Sequence, residues 1–477
     1  MKRNYIQLTL SILTILFISC STEYNKETTE EPILSDLQLK AIDSVCQAFI
    51  DKGNTVGLSL ALAHGDSVIF AKGYGLVNIE TDQPATESTI YPIASISKFI
   101  TAITTMIMVE QGKLSLDDKL IDYLEDFPRQ EYMNEITIEH LLRHQSGLID
   151  HEDWFDSIYI HHKKVFTTEE FYDFINQPLF FRPGTQYSYS NSGYAVLSMI
   201  LEKITDQSFQ DVIVENVGTP LQMQSLGMWP ENWDRESATM GYELTEEGVD
   251  TSFHMMTEGM KGDGGLSANV VDLLKLVNGL KNETILSESS LNKILTPSPI
   301  GSIFIDYGLG VKMGLYNGQK CWGHSGGYQG IGWALLAHYP ETDYTFAAAM
   351  NTSYSPEDAW HLRHNIMPIV FNLDVPNYKS QSIQNGDKYV GEYSSINRWG
   401  DGKPSVRMVT FEDGNLFWDN PDTETPGAQF FPIDENVFSW KAYPFDQFKF
   451  HEVDGKIVAC SEYYDGLFGM VRMKENE

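Results

Sequence analysis

The stretch Trp322-Gly-His-Ser-Gly-Gly-Tyr328 contains G-x-S-x-G, the spelling that can lift a serine onto a strained strand-to-helix turn as a nucleophile. Read that way, Ser325 carries the chemistry and a helix must start directly behind it. The residues that follow, GGYQGIGWALLAHYP, place Gly326, Gly327, Gly330 and Gly332 within seven positions. Each glycine costs a helix about 1 kcal/mol against alanine. Apolar residues then alternate as in a strand. The stretch is predicted to be a strand edge, and the nucleophile has to be sought elsewhere.

Working outward, YGLGVKMGLYNGQKCWGHSG and IGWALLAHYPETDYTFAAAMN predict consecutive antiparallel strands, turned at Asn317-Gly318 and at residues 340–343. Near the other end of the chain, GLSLALAHGDSVIFAKGYGLVN gives two alternating runs around His64-Gly65-Asp66. Between these regions helical patterns dominate, at 138–143, 168–176, 195–204 and 270–280, and a further one runs through PEDAWHLRHNIMPIVFNL. Strands at both ends with helices between predict one antiparallel sheet assembled from distant segments, in an α/β (α+β) fold with a mostly helical subdomain.

The helix predicted from Ser95, SISKFITAITTMIMVEQGKLSLDD, is apolar on most of its circumference, which calls for a buried central helix stopped at Gly112. At its start Ser95 and Lys98 are three apart and share a face. An amine beside a serine hydroxyl can take its proton, and a desolvated lysine favours its neutral, basic form. The helix N-terminus also offers backbone N–H groups to a developing oxyanion. The pattern S-x-x-K by itself is weak. A second copy, Ser290-Leu-Asn-Lys293, sits in the polar segment SESSLNKIL, where a solvated face accounts for it. The Ser95 copy differs in its apolar surroundings and in two companions. Tyr189-Ser-Asn191 follows Pro183-Gly184 and, in extended backbone, sends a phenol and an amide to the same side. The other companion is the opening stretch, read as His324-Ser325-Gly326.

Taken in order, Ser95-x-x-Lys98, Tyr189-x-Asn191 and His324-x-Gly326 resemble the class C β-lactamases, the D-alanyl-D-alanine carboxypeptidases and the related penicillin-binding-protein-like serine hydrolases. HLLRHQSGL (140–148), FRPGTQYSYSNSGY and GDGGLSANVVDL (262–273) look like further signatures, and the resemblance runs from about residue 37 to 373. It implies a β-lactamase/transpeptidase-like fold and a covalent acyl-enzyme on amide or ester bonds, formed without metal or cofactor. Ser95 would be the nucleophile, and Lys98 and Tyr189 would share proton transfer, with either of them as the base. Asn191 would contact a substrate amide or hold Lys98. His324, Ser325 and Gly326 would line the sheet side of the cleft, and the N–H groups of Ser95 and Gly327 would form the oxyanion hole. The relatives carry lysine at the place of His324. A histidine, mostly neutral at pH 7, weakens the case for β-lactam or D-Ala-D-Ala acids. It favours D-amino-acid peptides, peptidoglycan-derived peptides or small esters. The alternatives are a non-catalytic substrate-binding or scaffold member of the fold, a true β-lactamase, and an α/β-hydrolase acting through Ser325.

The 477-residue chain suits a large domain followed by a smaller one. Its formal net charge of −33 argues against nucleic acid as a partner. Lys2 and Arg3, an apolar run from 6 to 18 and Ser19-Cys20 spell a signal peptide over 1–20. The cysteine after LFIS resembles the bacterial lipoprotein box, which would lipidate Cys20 and hold the protein in the cell envelope, facing the periplasm or the cell surface. Residues 21–36 are expected as a flexible tether, 37–375 as the hydrolase domain and 376–385 as a linker. Residues 386–477 are expected as a small all-β barrel or sandwich, filled by Phe417, Trp418, Phe430, Phe431, Trp440, Tyr443 and Phe445, with a ligand site or a lid over the cleft as the alternative role. Cys46, Cys321 and Cys460 form neither a disulfide framework nor a metal spacing, and Cys321 suits a buried apolar position. His151, His161 and His162, near Asp150, Asp153 and Asp156, fit no ligand motif and are expected in a solvated acidic loop bordering the cleft.

Overall fold

In the computed structural model the described residues are 33–128, 131–152, 154, 167–229, 238–250, 261–328, 332–353, 359–374, 381–396, 404–423, 427–464 and 466–475. Cys20, the signal, residues 21–32 of the expected tether, Asp153, Asp156, His161 and His162 lie outside them, while the tether's last residues are ordered, with Leu34 buried and Ser35 capping a helix that starts at Asp36. Among the described residues no helix is long and apolar enough to cross a membrane.

The sheet is assembled from the two distant segments. Strands β1 (Gly57–His64), β2 (Ser67–Asn78) and the short β3 (Gln83–Pro84) come from the first, and β4 (Lys312–Tyr316), β5 (Gln319–Tyr328), β6 (Gly332–Tyr339) and β7 (Tyr344–Met350) from the second. Their spatial order is β4-β5-β6-β7-β1-β2-β3, and β1 joins β7 antiparallel from Leu58 opposite Met350 to His64 opposite Tyr344. The turns obey the local chemistry. Asn317 and Gly318 both take positive φ, 47° and 80°, as a tight antiparallel hairpin requires. One sheet face carries helices α1 (Asp36–Asp51) and α6 (Ala359–Phe371). The other face packs on α2 (Ile96–Glu110), with α3 (Thr168–Ile175), α4 (Asn191–Thr205) and α5 (Val270–Lys281) completing that layer. From Ile96 to Met108 every residue of α2 is buried, as its nearly all-round apolar surface demands. Cys46, Cys321 and Cys460 are buried.

The C-terminal segment closes into an eight-stranded antiparallel barrel. Its strands are β8 (Gly391–Ile396), β9 (Pro404–Glu412), β10 (Asn415–Asp419), β11 (Ala428–Asp434), β12 (Val437–Trp440), β13 (Gln447–Val453), β14 (Lys456–Tyr464) and β15 (Leu467–Lys474). Tyr393, Trp418, Phe430, Phe438, Phe448 and Phe450 fill the interior, and eight strands leave room for little else. Not every aromatic residue serves that core. Phe445 leaves the barrel and stacks on Tyr316 of β4, centroid to centroid 4.6 Å, while Tyr443 is 43% exposed. Tyr463 and Phe468 pack with Tyr187 and Tyr307 of the first domain, and the Tyr463 hydroxyl donates to Asp306. A Cβ on Gly314 of β4 would stand 2.1 Å from the Gly466 carbonyl oxygen, so glycine lets the barrel edge lie directly on the sheet edge.

Two buried histidines set an acid limit on stability. Burial pushes His338 of β6 and His451 of β13 down to about 4. The unfolded imidazole takes its proton near pH 6.5, so each group's contribution is intact above pH 6.5 and is lost as pH falls toward 4. Between pH 7 and pH 5 a His338→Gln chain is expected to lose about 2 kcal/mol less stability than wild type, read from urea unfolding at both pH values.

Candidate active site

The helix start that carries Ser95 is held from both sides. Ala94 takes φ +44°, a left-handed conformation that costs a non-glycine residue of order 1 kcal/mol. Ile93 N–H donates to Leu266 O at 2.9 Å, and Leu266 N–H donates back to Ser97 Oγ at 3.1 Å. Thr101 Oγ1 donates to Gly262 O at 2.8 Å. The stretch 262–266 is thereby sewn to the first turns of α2. Gly262 has φ +84°, and a Cβ there would meet the Tyr194 carbonyl oxygen at 2.4 Å, which explains the glycine in GDGGLSA.

Lys98 has no exposed surface. Its Nζ lies 3.1 Å from Ser95 Oγ and donates to the Asp263 carbonyl oxygen at 2.6 Å. Two phenol rings cover the amine, with Nζ 4.9 Å from the centroid of Tyr189 and 5.9 Å from that of Tyr194. Ser95 is half-buried and faces a cleft of about 460 Å³ that Tyr189, Ser325 and Gly327 also line. Geometry thus brings together Ser95, Lys98, Tyr189, Ser325 and Gly327. The second S-x-x-K copy lies on Glu288–Ile294 with Lys293 exposed.

The extended backbone expected through Tyr189-Ser-Asn191 ends one residue early. Ser190 is extended and caps α4, its Oγ accepting from Gly193 N–H at 3.1 Å, and Asn191 is already the first helical residue. Its amide therefore turns away from the phenol. Nδ2 donates to Asp150 Oδ1 at 3.1 Å and to Glu152 Oε2 at 2.6 Å, and no bond to Lys98 occurs among the described residues. Asp150 and His151 correct the expected solvated loop, because both are buried. His151 Nδ1 lies 3.2 Å from Ser192 Oγ, and burial pushes the ring down to about 4. Burial pushes the Asp263 carboxyl up to about 7, and its Oδ1 finds no hydrogen-bond partner among the described residues.

His324 does not present itself to the cleft in this structure. Its side chain is fully buried, because alternation along β5 sends Ser325 and Gly327 to the cleft and residue 324 to the opposite face. It takes part in a polar chain that sequence reading missed. Ser190 N–H donates to His144 Nδ1 at 3.0 Å, which fixes that nitrogen as an acceptor and leaves Nε2–H to donate to the Tyr307 hydroxyl at 2.9 Å. Tyr307 reaches His324 Nε2 at 3.5 Å, and His324 Nδ1–H donates to Ser325 O at 2.6 Å. Burial, with Lys312 and Lys98 nearby, holds His324 well below its ordinary value, hence neutral. The His144 ring lies against Tyr189, centroids 4.2 Å apart, so one buried chain ties the tyrosine loop to strand β5. The left-handed φ of 58° at His144 is the signal within HLLRHQSGL, but only tertiary structure shows it.

A family model described as Beta-lactamase matches residues 42–370. Penicillin-binding protein 4* of Bacillus subtilis (strain 168) is 26% identical over 379 residues, which span 74% of this chain and 82% of that protein. Among solved structures, the octameric penicillin-binding protein homologue from Pyrococcus abyssi superposes with a TM-score of 0.63 at 23% identity, over 92% of this chain and 100% of that one. D-amino acid amidase from Ochrobactrum anthropi SV3, complexed with D-phenylalanine, gives 0.61 at 22%, over 70% and 99%. The likeness to the Pyrococcus chain is too long to omit the barrel.

Gly326 tests how tightly this site is built. A Cβ there would stand 2.2 Å from Ile93 O and 2.7 Å from Ser95 N. Gly326→Ala is expected to lower stability by about 1–3 kcal/mol, measured by urea unfolding, because neither backbone can retreat without moving Ser95.

Proposed function

This chain belongs to the Beta-lactamase family, and on that premise we propose that it is a serine hydrolase that acts through an acyl-enzyme on Ser95. The observation that carries the proposal is the buried Lys98 amine, 3.1 Å from a hydroxyl that opens onto a cleft. A lysine so placed has a purpose beyond packing, since removing an ammonium from water costs several kcal/mol.

The chemistry runs as follows. Ser95 Oγ bonds to the carbonyl carbon of an amide or ester while its proton passes to Lys98 or Tyr189. The negative charge that develops on the carbonyl oxygen is met by the N–H groups of Ser95 and Gly327. As the tetrahedral centre collapses, the bond to the leaving nitrogen or oxygen breaks and that atom receives the proton. Water then attacks the Ser95 ester by the same route and frees the acid. Lys98 Nζ lies within hydrogen-bonding distance of Ser95 Oγ, and Tyr189 lines the cleft from which the leaving group would depart. The substrates we propose are D-amino-acid peptides, peptidoglycan-derived peptides or small esters of the cell envelope, where the Cys20 signal would hold the enzyme by a lipid.

Treatment with a fluorophosphonate tests the nucleophile. Ser95→Ala is expected to lose all labelling and Ser325→Ala to keep it; the reverse pattern would remove Ser95 from the mechanism. Lys98→Ala should lower kcat by about 10²–10⁴-fold with the chain still folded. For the anchor, metabolic labelling with a fatty acid is expected to vanish in Cys20→Ala, and label that persists would refute lipidation there.

A further inference from the structure

We infer that the junction of helix α6 with the C-terminal barrel carries a carbohydrate-binding groove, in which aromatic rings stack on the sugars of an oligosaccharide. The groove is built from α6 on one side and from β11, β12, β14 and the turn after β12 on the other. Among the described residues it shares no lining residue with the Ser95 cleft, and the inference goes beyond the serine-hydrolase reading without depending on it.

Two cavities lie side by side there. The first, about 340 Å³, is lined by Trp360, His361 and His364 of α6 and by Trp440, Tyr443 and Asp446 of the barrel. The second, about 370 Å³, takes Gln429 and Phe431 of β11 and Lys441. Trp440 and Tyr443 line both, so the two wells adjoin at these rings. Each well stands at the small end of ligand pockets, which run from about 300 to 1,000 Å³. Two such wells joined suit a ligand made of repeated small units.

The rings are held in place before a ligand arrives. Trp440 packs edge-on against Phe448 of the barrel interior, centroids 4.9 Å apart, and Tyr443 meets His361 edge-on at 5.5 Å. Tyr464, which also lines the first well, donates its hydroxyl to Glu462 Oε2 at 2.9 Å. Fixed aromatic faces supply contact area at little cost in side-chain entropy. Trp360, Trp440 and Tyr464 are only half-buried and Tyr443 is exposed, so apolar ring surface stands in water, as it does at binding sites. The polar residues decide what covers it. An alkyl chain would strip water from His361, His364, Asp446, Gln429 and Lys441 and return no hydrogen bond, a cost at each of them. A pyranose has C–H groups on its faces and hydroxyls around its edge, so one molecule both stacks on the rings and serves the polar rim. The ring planes of Trp440 and Tyr443 differ by 54°. That tilt suits successive sugars turned about their linkages better than the straight, regular ridge of a polyproline helix.

Calorimetric titration of the full-length chain with cellotetraose, chitotetraose and maltotetraose, and with glucose and N-acetylglucosamine, tests the groove. At least one tetrasaccharide is expected to bind, about tenfold or more tighter than its monosaccharide, because two adjoining wells fill at once. Tyr443→Ala, a change at an exposed position, should weaken that binding about tenfold while thermal unfolding stays at the wild-type temperature. Trp360→Leu, on the α6 side, should weaken it to a similar degree. No binding of any tetrasaccharide at millimolar concentration, or binding that either substitution leaves intact, would overturn the groove. Binding of decaproline in place of the sugars, lost in Tyr443→Ala, would overturn it too and make this a peptide site. These Kd values need no turnover, so they answer whether or not Ser95 is the nucleophile, and fluorophosphonate labelling reports on that reading alone.

Discussion

The structure is organised around one desolvated amine. Lys98 has no contact with water, and an ion taken out of water loses several kcal/mol of hydration unless other groups replace it. Three do so: the Asp263 carbonyl, the Ser95 hydroxyl and the faces of two tyrosine rings. Each arrives from a different part of the chain. The carbonyl comes from the loop sewn to α2 through Leu266 and Thr101, and the rings come from the Tyr189 loop and from α4. The requirement to solvate this amine therefore fixes the helix start, two loops and one helix against one another. It explains why the loops carry glycine where backbone must approach backbone, as at Gly262 against Tyr194.

Much of this was legible from residue pattern. The sheet built from both ends of the chain followed from alternation and turn chemistry, and α2 followed from an apolar surface with no polar stripe. The i, i+3 spacing of Ser95 and Lys98 places the two side chains on one helix face, where they meet. What could not be read depended on contacts between distant segments. Alternation says that His324 and Ser325 face opposite ways, but it does not say which of them faces the cleft. That is settled by the packing of β5 on α2 at Gly326. The sequence leaves Asn191 in an extended stretch because Ser190 can serve a turn or a helix cap equally well, and only its bond to Gly193 distinguishes them. The barrel's share in the cleft was the least visible. It follows from Phe445 stacking on Tyr316 and from Gly314 lying under Gly466, contacts between residues more than a hundred positions apart.

The barrel is joined to the site by more than proximity. Tyr463 and Phe468 belong to the same apolar cluster as Tyr187 and Tyr307. Tyr307 is the middle of the polar chain that runs from the tyrosine loop through His144 to His324 and strand β5. A barrel that docks here packs against a residue whose hydroxyl orders both sides of the cleft. The interior of the barrel is filled with aromatic side chains, and the residues it brings to the cleft, among them Ser395, Ser405 and Met470, come from its outer surface and its strand ends.

The histidine at position 324 acquires a physical reason from the same geometry. A lysine there would have to place an ammonium in a pocket with no exposed surface, within the field of both Lys98 and Lys312. Like charges that close in a poorly solvated site each disfavour the other's charged form. A neutral imidazole avoids that conflict. It accepts from Tyr307, donates to Ser325 O, and holds β5 at the height at which Gly326 touches the Ser95 backbone. The glycine-rich stretch around Ser325 is then a strand edge shaped by what lies behind it, and the residue that faces away from the cleft governs its position as much as those that line it.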